Sequence, residues 1–269
     1  MDNLIVSGKN IDIYLYNMFF MHVAEMLLEH FDTPEWGNTL FLLDGHLHEN
    51  YEYYQKQFPK KRIIAYQLEQ LFGPSGNNNF IDVNKSIEAL STFPEVWDYD
   101  RLNIDFLSWY CVPVKHILPM MYARRLDRIQ SLQDPKIDVL FYGMLNERRW
   151  RIIEQIQRKC YGKLKFAWIY GDADMDAHIA NSKIILNLHA FEPWNRQEQV
   201  RMFYPIINGK TVVSEPSQIN YLKDMIVESG INELPDVLQN LCGSENWKKF
   251  GSEARIKFMN MQPFKPTNS

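Results

Sequence analysis

The chain has 269 residues, 46% hydrophobic and 23% charged, with a formal charge of −4 at pH 7. That length suits one large domain or two small ones, and the composition is that of a globular protein. The net negative charge gives no general attraction to nucleic acid or anionic lipid, so a nucleic-acid partner is not expected.

Short β-rich runs alternate with helical stretches along most of the chain. Ile11 to Tyr16 reads as a first strand. A helix from about Phe20 to Phe31 follows, with Val23, Met26 and Leu27 at helical spacing. Strands are expected at Thr39 to Leu43, Arg62 to Tyr66, Val96 to Tyr99 and Tyr110 to Val114, separated by helices near 49–58, 83–91 and 100–109. Lys115 to Pro135 breaks the rhythm with two prolines and Arg124-Arg125, and reads as a crossover between domains. The alternation resumes with strand Ile137 to Tyr142, helix Glu147 to Cys160, strand Leu164 to Tyr170 and a short helix at 174–181. Strand Lys183 to His189, helix 196–207, strands Thr211 to Ser214 and Asp224 to Val227, and helices near 231–242 and 245–260 complete it. Strands alternating with helices of this length argue for βαβ units and parallel sheets. Two such blocks predict an α/β protein of two Rossmann-like domains, with residues 1–120 and 121–269 as their extents.

Three widely spaced cysteines, Cys111, Cys160 and Cys242, form neither a metal-spaced pair nor a secreted-type framework. A reducing, cytoplasmic setting is therefore expected. Met1 to Asn10 lacks the apolar core of a signal peptide. No apolar run reaches the ~20 residues needed to cross a bilayer, which leaves only peripheral membrane contact open.

In open α/β sheets, ligands bind beyond the carboxyl ends of the strands, where helix N-terminal amides meet anions. Three places in the second block fit. In the first, strand Ile137 to Tyr142 runs into Gly143, then Asn146 as an N-cap, then a helix with Arg148 and Arg149 in its first turn. Cations oppose the helix dipole there, and a bound phosphate offsets that cost; solvated surface charge is the competing reading. In the second, a buried strand ends in Asn187 and His189 and opens into a loop carrying Glu192. The third holds Glu198 and Arg201 three apart on a helix, then Gly209, Lys210 and a strand ending in Glu215. As a surface ion pair, Glu198 and Arg201 contribute only ~0–1 kcal/mol; as ligand groups they hold sugar hydroxyls and phosphate.

The succession Gly143-x-x-Asn146-x-Arg148-Arg149, Ser182-Lys183-Ile184-Ile185-Leu186-Asn187-Leu188-His189, Glu198-x-Val200-Arg201 and Asn208-Gly209-Lys210-x-Val212-Val213-Ser214-Glu215 resembles the C-terminal domain of GT-B glycosyltransferases, closest to group-1-like polysaccharide transferases of bacteria and large viruses. The resemblance covers roughly residues 136–245. It implies two Rossmann-like domains facing each other across a cleft, with the last helix able to cross back to the first domain. The second domain would bind the nucleotide-sugar donor through Gly143, Asn146, Arg148, Arg149, Tyr170, His189, Glu192, Glu198, Arg201 and Lys210. The Glu-x7-Glu pair carried by many retaining members is not matched, because Tyr204 stands five residues before Gly209.

In that family the first domain holds the acceptor and, in inverting members, a general base. His46 and His48, just after the second strand with Asp44 and Glu49, and Glu69, after the third, stand where such a base belongs; for the stretch from Asp44 to Glu49, a polar loop is the competing reading. His189 is a further catalytic candidate. The reaction implied is transfer of a sugar from a nucleoside-diphosphate donor to a glycan or other hydroxyl acceptor, with arginines and helix amides holding the diphosphate and neither metal nor cofactor required. Asp172, Asp174 and Asp176, which resemble a metal-binding run, are explained by helix capping. The alternative is a non-catalytic nucleotide- or glycan-binding relative of the same fold. A dehydrogenase is disfavoured by the missing glycine-rich fingerprint.

Overall fold

Five-residue runs such as Thr39–Leu43, buried throughout, can be satisfied only inside a sheet covered on both faces. The computed structural model describes residues 4–44, 49–71, 82–171, 174–191 and 196–264. The chain divides into two compact units, Met1–Arg125 with Pro263–Ser269, and Leu126–Gln262.

The first unit contains a six-stranded sheet in chain order: β1 (Leu4–Ser7), β2 (Ile11–Leu15), β3 (Thr39–Leu43), β4 (Arg62–Gln67), β5 (Val96–Asp98) and β6 (Val114–Ile117). Only β1 is antiparallel to its neighbour. Among the described residues, α1 (Met21–Phe31), α2 (Tyr51–Gln57), α3 (Val83–Thr92) and α4 (Arg101–Ser108) connect the parallel strands. Leu40, Leu42, Ile63, Ala65 and Val96 meet Tyr54 of α2, Ile87 and Leu90 of α3, and Leu107 of α4. The opposite pleat places Phe41 and Trp97, 5.4 Å apart, against Phe31 of α1 and Trp36.

Two elements differ from the sequence expectation. β1 is an additional strand, turned back onto β2 through Gly8, Lys9 and Asn10, whose turn is held by Asp32 accepting the amides of Lys9 and Asn10 at 2.9 and 2.6 Å. The strand expected at 110–114 begins only at Val114, because Cys111 adopts a left-handed φ of 56° and closes the end of α4.

The second unit contains a fully parallel five-stranded sheet made of β7 (Ile137–Tyr142), β8 (Phe166–Ile169), β9 (Ser182–Asn187), β10 (Thr211–Ser214) and β11 (Val227–Glu228). Its order is β11-β10-β9-β7-β8. The chain moves outward from β7 to β8, then returns to β7's other side for β9. The switch point of the sheet therefore lies between β7 and β9.

The helices of this unit are α5 (Glu147–Lys159), α6 (Met175–Ala180), α7 (Gln199–Ile207), α8 (Leu234–Cys242) and α9 (Asn246–Met259). Ile152, Ile153 and Ile156 of α5 and Leu234 and Leu238 of α8 cover Val139, Phe141, Ile184 and Leu186. The final helix, α9, belongs to this unit, and the first unit resumes only at Pro263.

Helix α9 comes so close to the turn before β10 that a methyl group on Gly251 would overlap the Gly209 carbonyl. Gly251→Ala is expected to destabilise the protein by about 1–3 kcal/mol through overpacking. Urea unfolding of the full chain measures this; wild-type stability would mean that the contact has slack.

Candidate functional site

The two loops that leave the switch point carry most of the residues singled out from the sequence. Gly143, immediately after β7, has a φ of +117°, a conformation that side chains disfavour. A Cβ there would also stand 3.2 Å from Nη2 and 3.3 Å from Nε of Arg201. The glycine thus lets the loop lie directly on the guanidinium. Trp168 of β8 donates its indole N–H to the Gly143 carbonyl at 2.9 Å. The Tyr142 hydroxyl donates to the backbone carbonyl of Arg201, tying the end of β7 to the first turn of α7. Asn146 caps α5 by accepting the Arg149 amide at 2.9 Å and donates its own amide to Ala190 O at 2.5 Å, joining the β7 and β9 loops.

Charge at this edge is distributed unequally. Arg148 makes a bidentate pair with Glu215, at 2.9 and 2.6 Å, and donates to His189 O at 2.8 Å. Arg149 is buried, donates to the carbonyls of Leu188 and Met144 at 2.9 Å each, and faces Glu198 Oε1 at 3.6 Å. Burial, then the neighbouring Arg201, push the Arg149 pKa down to about 9 against the pull of Glu198.

Glu198 Oε2 accepts from Asn187 Nδ2 at 3.0 Å and lies 2.9 Å from His189 Nδ1. Burial alone would raise the Glu198 pKa, but His189, Arg201 and Arg149 together bring it down to about 2. Arg201 donates to Asn187 Oδ1 at 3.0 Å and lies over the Phe141 ring at 5.7 Å. Among the described residues it has no carboxylate within ion-pair distance, and it is only half-buried.

This arrangement revises several sequence expectations. The sequence pattern points Arg148 and Arg149 toward phosphate, yet Glu215 and backbone carbonyls already occupy them. Glu198 is not half of a surface pair with Arg201, because it precedes α7 at the N-cap position and is buried among His189, Asn187 and Arg149. His189 is 1% exposed, with its second nitrogen 3.0 Å from Pro216 O, so neither nitrogen is left over to take a proton from a substrate.

Lys210 lies at the wrong end of the sheet. It precedes β10, and its ammonium donates to the carbonyls of Ala180 and Ser182, where β9 begins, at 3.1 and 2.9 Å. Tyr170 stands exposed just after β8. Glu192, His46 and His48 lie outside the described residues, as does Asp172. Asp174 caps α6, and Asp176 accepts from Tyr204 and pairs with Arg128. Among the described residues no three His, Cys, Asp or Glu side chains come together as a metal site. The role of Glu215 was missed; its signal was an acid placed directly after the buried strand Thr211–Ser214.

In the first unit, Glu69 follows β4 on a stretch pinned from beneath. Gln67 brackets it, donating to its carbonyl at 2.6 Å and accepting its amide at 2.5 Å, and Asn103 donates to the same carbonyl at 2.9 Å. Asp98, buried beneath, accepts from both Gln67 and Asn103 at 3.1 Å. Burial raises the Asp98 pKa well above the usual carboxylate range. Asp44 is raised likewise by burial and then by the neighbouring Glu69. Half-buried Glu69 thus has a rigid backbone at the carboxyl edge of the first sheet.

No protein-family model and no curated protein matches the chain. Solved structures do. TarM aligns with 82% of this chain and 51% of its own, at 11% identity and a TM-score of 0.56. Sucrose-phosphate synthase from Thermosynechococcus elongatus aligns with 83% of this chain and 70% of its own, at 10% identity and a TM-score of 0.50. The chain spans about half the length of the first of these. What is shared at such identity is the fold, and the chain has the two-unit Rossmann-like α/β fold of GT-B glycosyltransferases.

Removing Glu198 strands buried cations. Glu198→Ala is expected to cost about 3–5 kcal/mol, read by urea unfolding at pH 7; a change within about 0.5 kcal/mol would return it to the surface class. Because its folded pKa is depressed, its contribution is present above the unfolded value of about 4.3 and lost as pH falls through about 2. The wild-type stability should therefore converge toward that of the variant across this window.

Proposed function

We propose that the chain is a glycosyltransferase that moves a sugar from a nucleoside-diphosphate donor to a hydroxyl of a glycan acceptor, without a metal. The observation that carries this reading is Arg201. Among the described residues it is the arginine of the cluster with no carboxylate in ion-pair distance, and it lies on the Gly143 loop at the switch point of a GT-B-type second unit. An arginine without a carboxylate partner, beside a loop that leads into a helix N-terminus, fits the leaving diphosphate.

The donor's diphosphate would lie between Arg201 and the first-turn amides of α5, with Arg148 held at the rim by Glu215. As the anomeric carbon–oxygen bond to the diphosphate breaks, negative charge grows on the leaving oxygen, and a pre-positioned guanidinium stabilises it without reorganising. On the acceptor side, Glu69 is the proposed base. The acceptor oxygen bonds to the anomeric carbon while its proton passes to the Glu69 carboxylate. Exposed Tyr170 and Trp168 would border the donor beyond Gly143.

Metal independence is supported by the engagement of Asp174 and Asp176 in capping and ion pairing. The cytoplasm is the proposed compartment, in keeping with three free cysteines. Among the described residues, no helix is long and apolar enough to cross a membrane.

Arg201→Ala should weaken nucleoside diphosphate binding about ten- to a hundredfold, the loss of one charge-assisted contact worth roughly 1.5–3 kcal/mol. Binding of the bare nucleoside should be unchanged. Calorimetric titration of both ligands checks this, and equal losses would remove Arg201 from the phosphate. Sugar transfer should persist in EDTA; loss of transfer, restored by Mn²⁺, would contradict the metal-free mechanism. Donor binding without hydrolysis or transfer would leave a binding relative.

A further inference from the structure

Every polar atom of His189 is engaged. Its amide donates to Glu215 Oε2 at 2.8 Å, and its carbonyl accepts from Arg148 at 2.8 Å. Nε2 lies 3.0 Å from the Pro216 carbonyl oxygen, and Nδ1 lies 2.9 Å from Glu198 Oε2. A carbonyl oxygen only accepts, so Nε2 must carry a proton for that contact to be a hydrogen bond. Glu198 Oε2 also faces the Asn187 amide donor, and Oε1 faces the Arg149 guanidinium. Both surroundings favour the ionised carboxylate, which likewise only accepts. Nδ1 must then carry a proton as well.

We propose that His189 is a positioning residue held as an imidazolium, which clamps the Glu198 carboxylate and the Pro216 carbonyl together and so leaves Arg201 to a bound phosphate. Its first half stands on geometry alone; the second, concerning Arg201, rests on the donor reading above.

The charge arrangement explains why a cation is needed. The charged groups around His189 are Glu198 at the start of α7, Glu215 after β10 and Arg148 on α5, while Arg149 on α5 and Arg201 on α7 act on its partner Glu198. Arg148 takes Glu215. If His189 were neutral it would release either Pro216 or Glu198, and the buried carboxylate would draw on Arg149 and Arg201 instead. Burial works against the charged ring, but Glu198 and then Glu215 outweigh it and raise the His189 pKa above its usual value. With a raised folded pKa, the stability that His189 contributes is complete below the unfolded value of about 6.5. It is lost as pH rises through the folded value.

The test uses the full chain labelled with ¹⁵N-histidine, followed by proton–nitrogen correlation of the rings from pH 6 to 9. At pH 7.5 the protected, buried ring should carry protons on both nitrogens. A singly protonated His189 at that pH would overturn the proposal, whatever the protein binds. The second arm measures uridine diphosphate affinity of wild type and His189→Gln at matched pH, so that titration of the ligand cancels. Below the His189 pKa the variant should bind about tenfold more weakly, equivalent to about 1.4 kcal/mol, and the gap should close as pH rises through it. A folded variant with unchanged affinity would overturn the positioning role. Should His189→Gln not fold, the pH dependence of wild-type affinity, set against that of Arg201→Ala, supplies the comparison. The wild-type excess should then shrink across the His189 titration, and a constant excess would overturn the role. Absence of uridine diphosphate binding in every form would count against the donor reading and leave the ring result standing.

Discussion

A single buried carboxylate, Glu198, organises the carboxyl edge of the second sheet. It sits just before α7, and its partners come from the strand end at Asn187, the loop at His189 and the first turn of α5 at Arg149. Cations buried this deeply are costly unless paired, and removal of a shared partner is more damaging than any one pair is stabilising. One charge therefore ties the end of β9 and His189 to the first turn of α5. That is the rigidity a site needs if it is to meet a developing charge without first rearranging.

The same economy divides labour among three arginines that look alike in the sequence. Arg148 is turned toward Glu215, Arg149 is spent on the Leu188 and Met144 carbonyls, and Arg201 is held by the neutral Asn187 amide and the face of Phe141. A neutral partner orients a guanidinium without cancelling its charge. Gly143 completes the device, since a side chain there would be strained at its φ of +117° and would crowd the Arg201 guanidinium. In the first unit the amides of Gln67 and Asn103, both held by the buried carboxyl of Asp98, fix the backbone around Glu69.

Much of the architecture was legible because parallel strands buried on both faces read as β-branched and aromatic runs bounded by polar turns. β10 and β9 were visible for this reason, whereas β1, exposed along most of its length, carried no such pattern. The clustering of Gly143, His189 and Glu198 was legible from strand direction, since they follow strands that run toward one edge. Applied strictly, the same rule would have set Lys210 aside, because it precedes β10. Which arginine meets which carboxylate was not legible. It depends on sheet register, with Ser214 beside Asn187, which brings Glu215 to Arg148, and no local signal records that pairing.

Where a nucleoside diphosphate binds decides the role of Arg201. A crystal structure of the full chain with uridine diphosphate, grown in EDTA, should place the diphosphate against the Gly143 loop, with its oxygens within hydrogen-bond distance of the Arg201 guanidinium and the first-turn amides of α5. Diphosphate bound away from Arg201, or bound only in crystals grown with a divalent cation in place of EDTA, would contradict it.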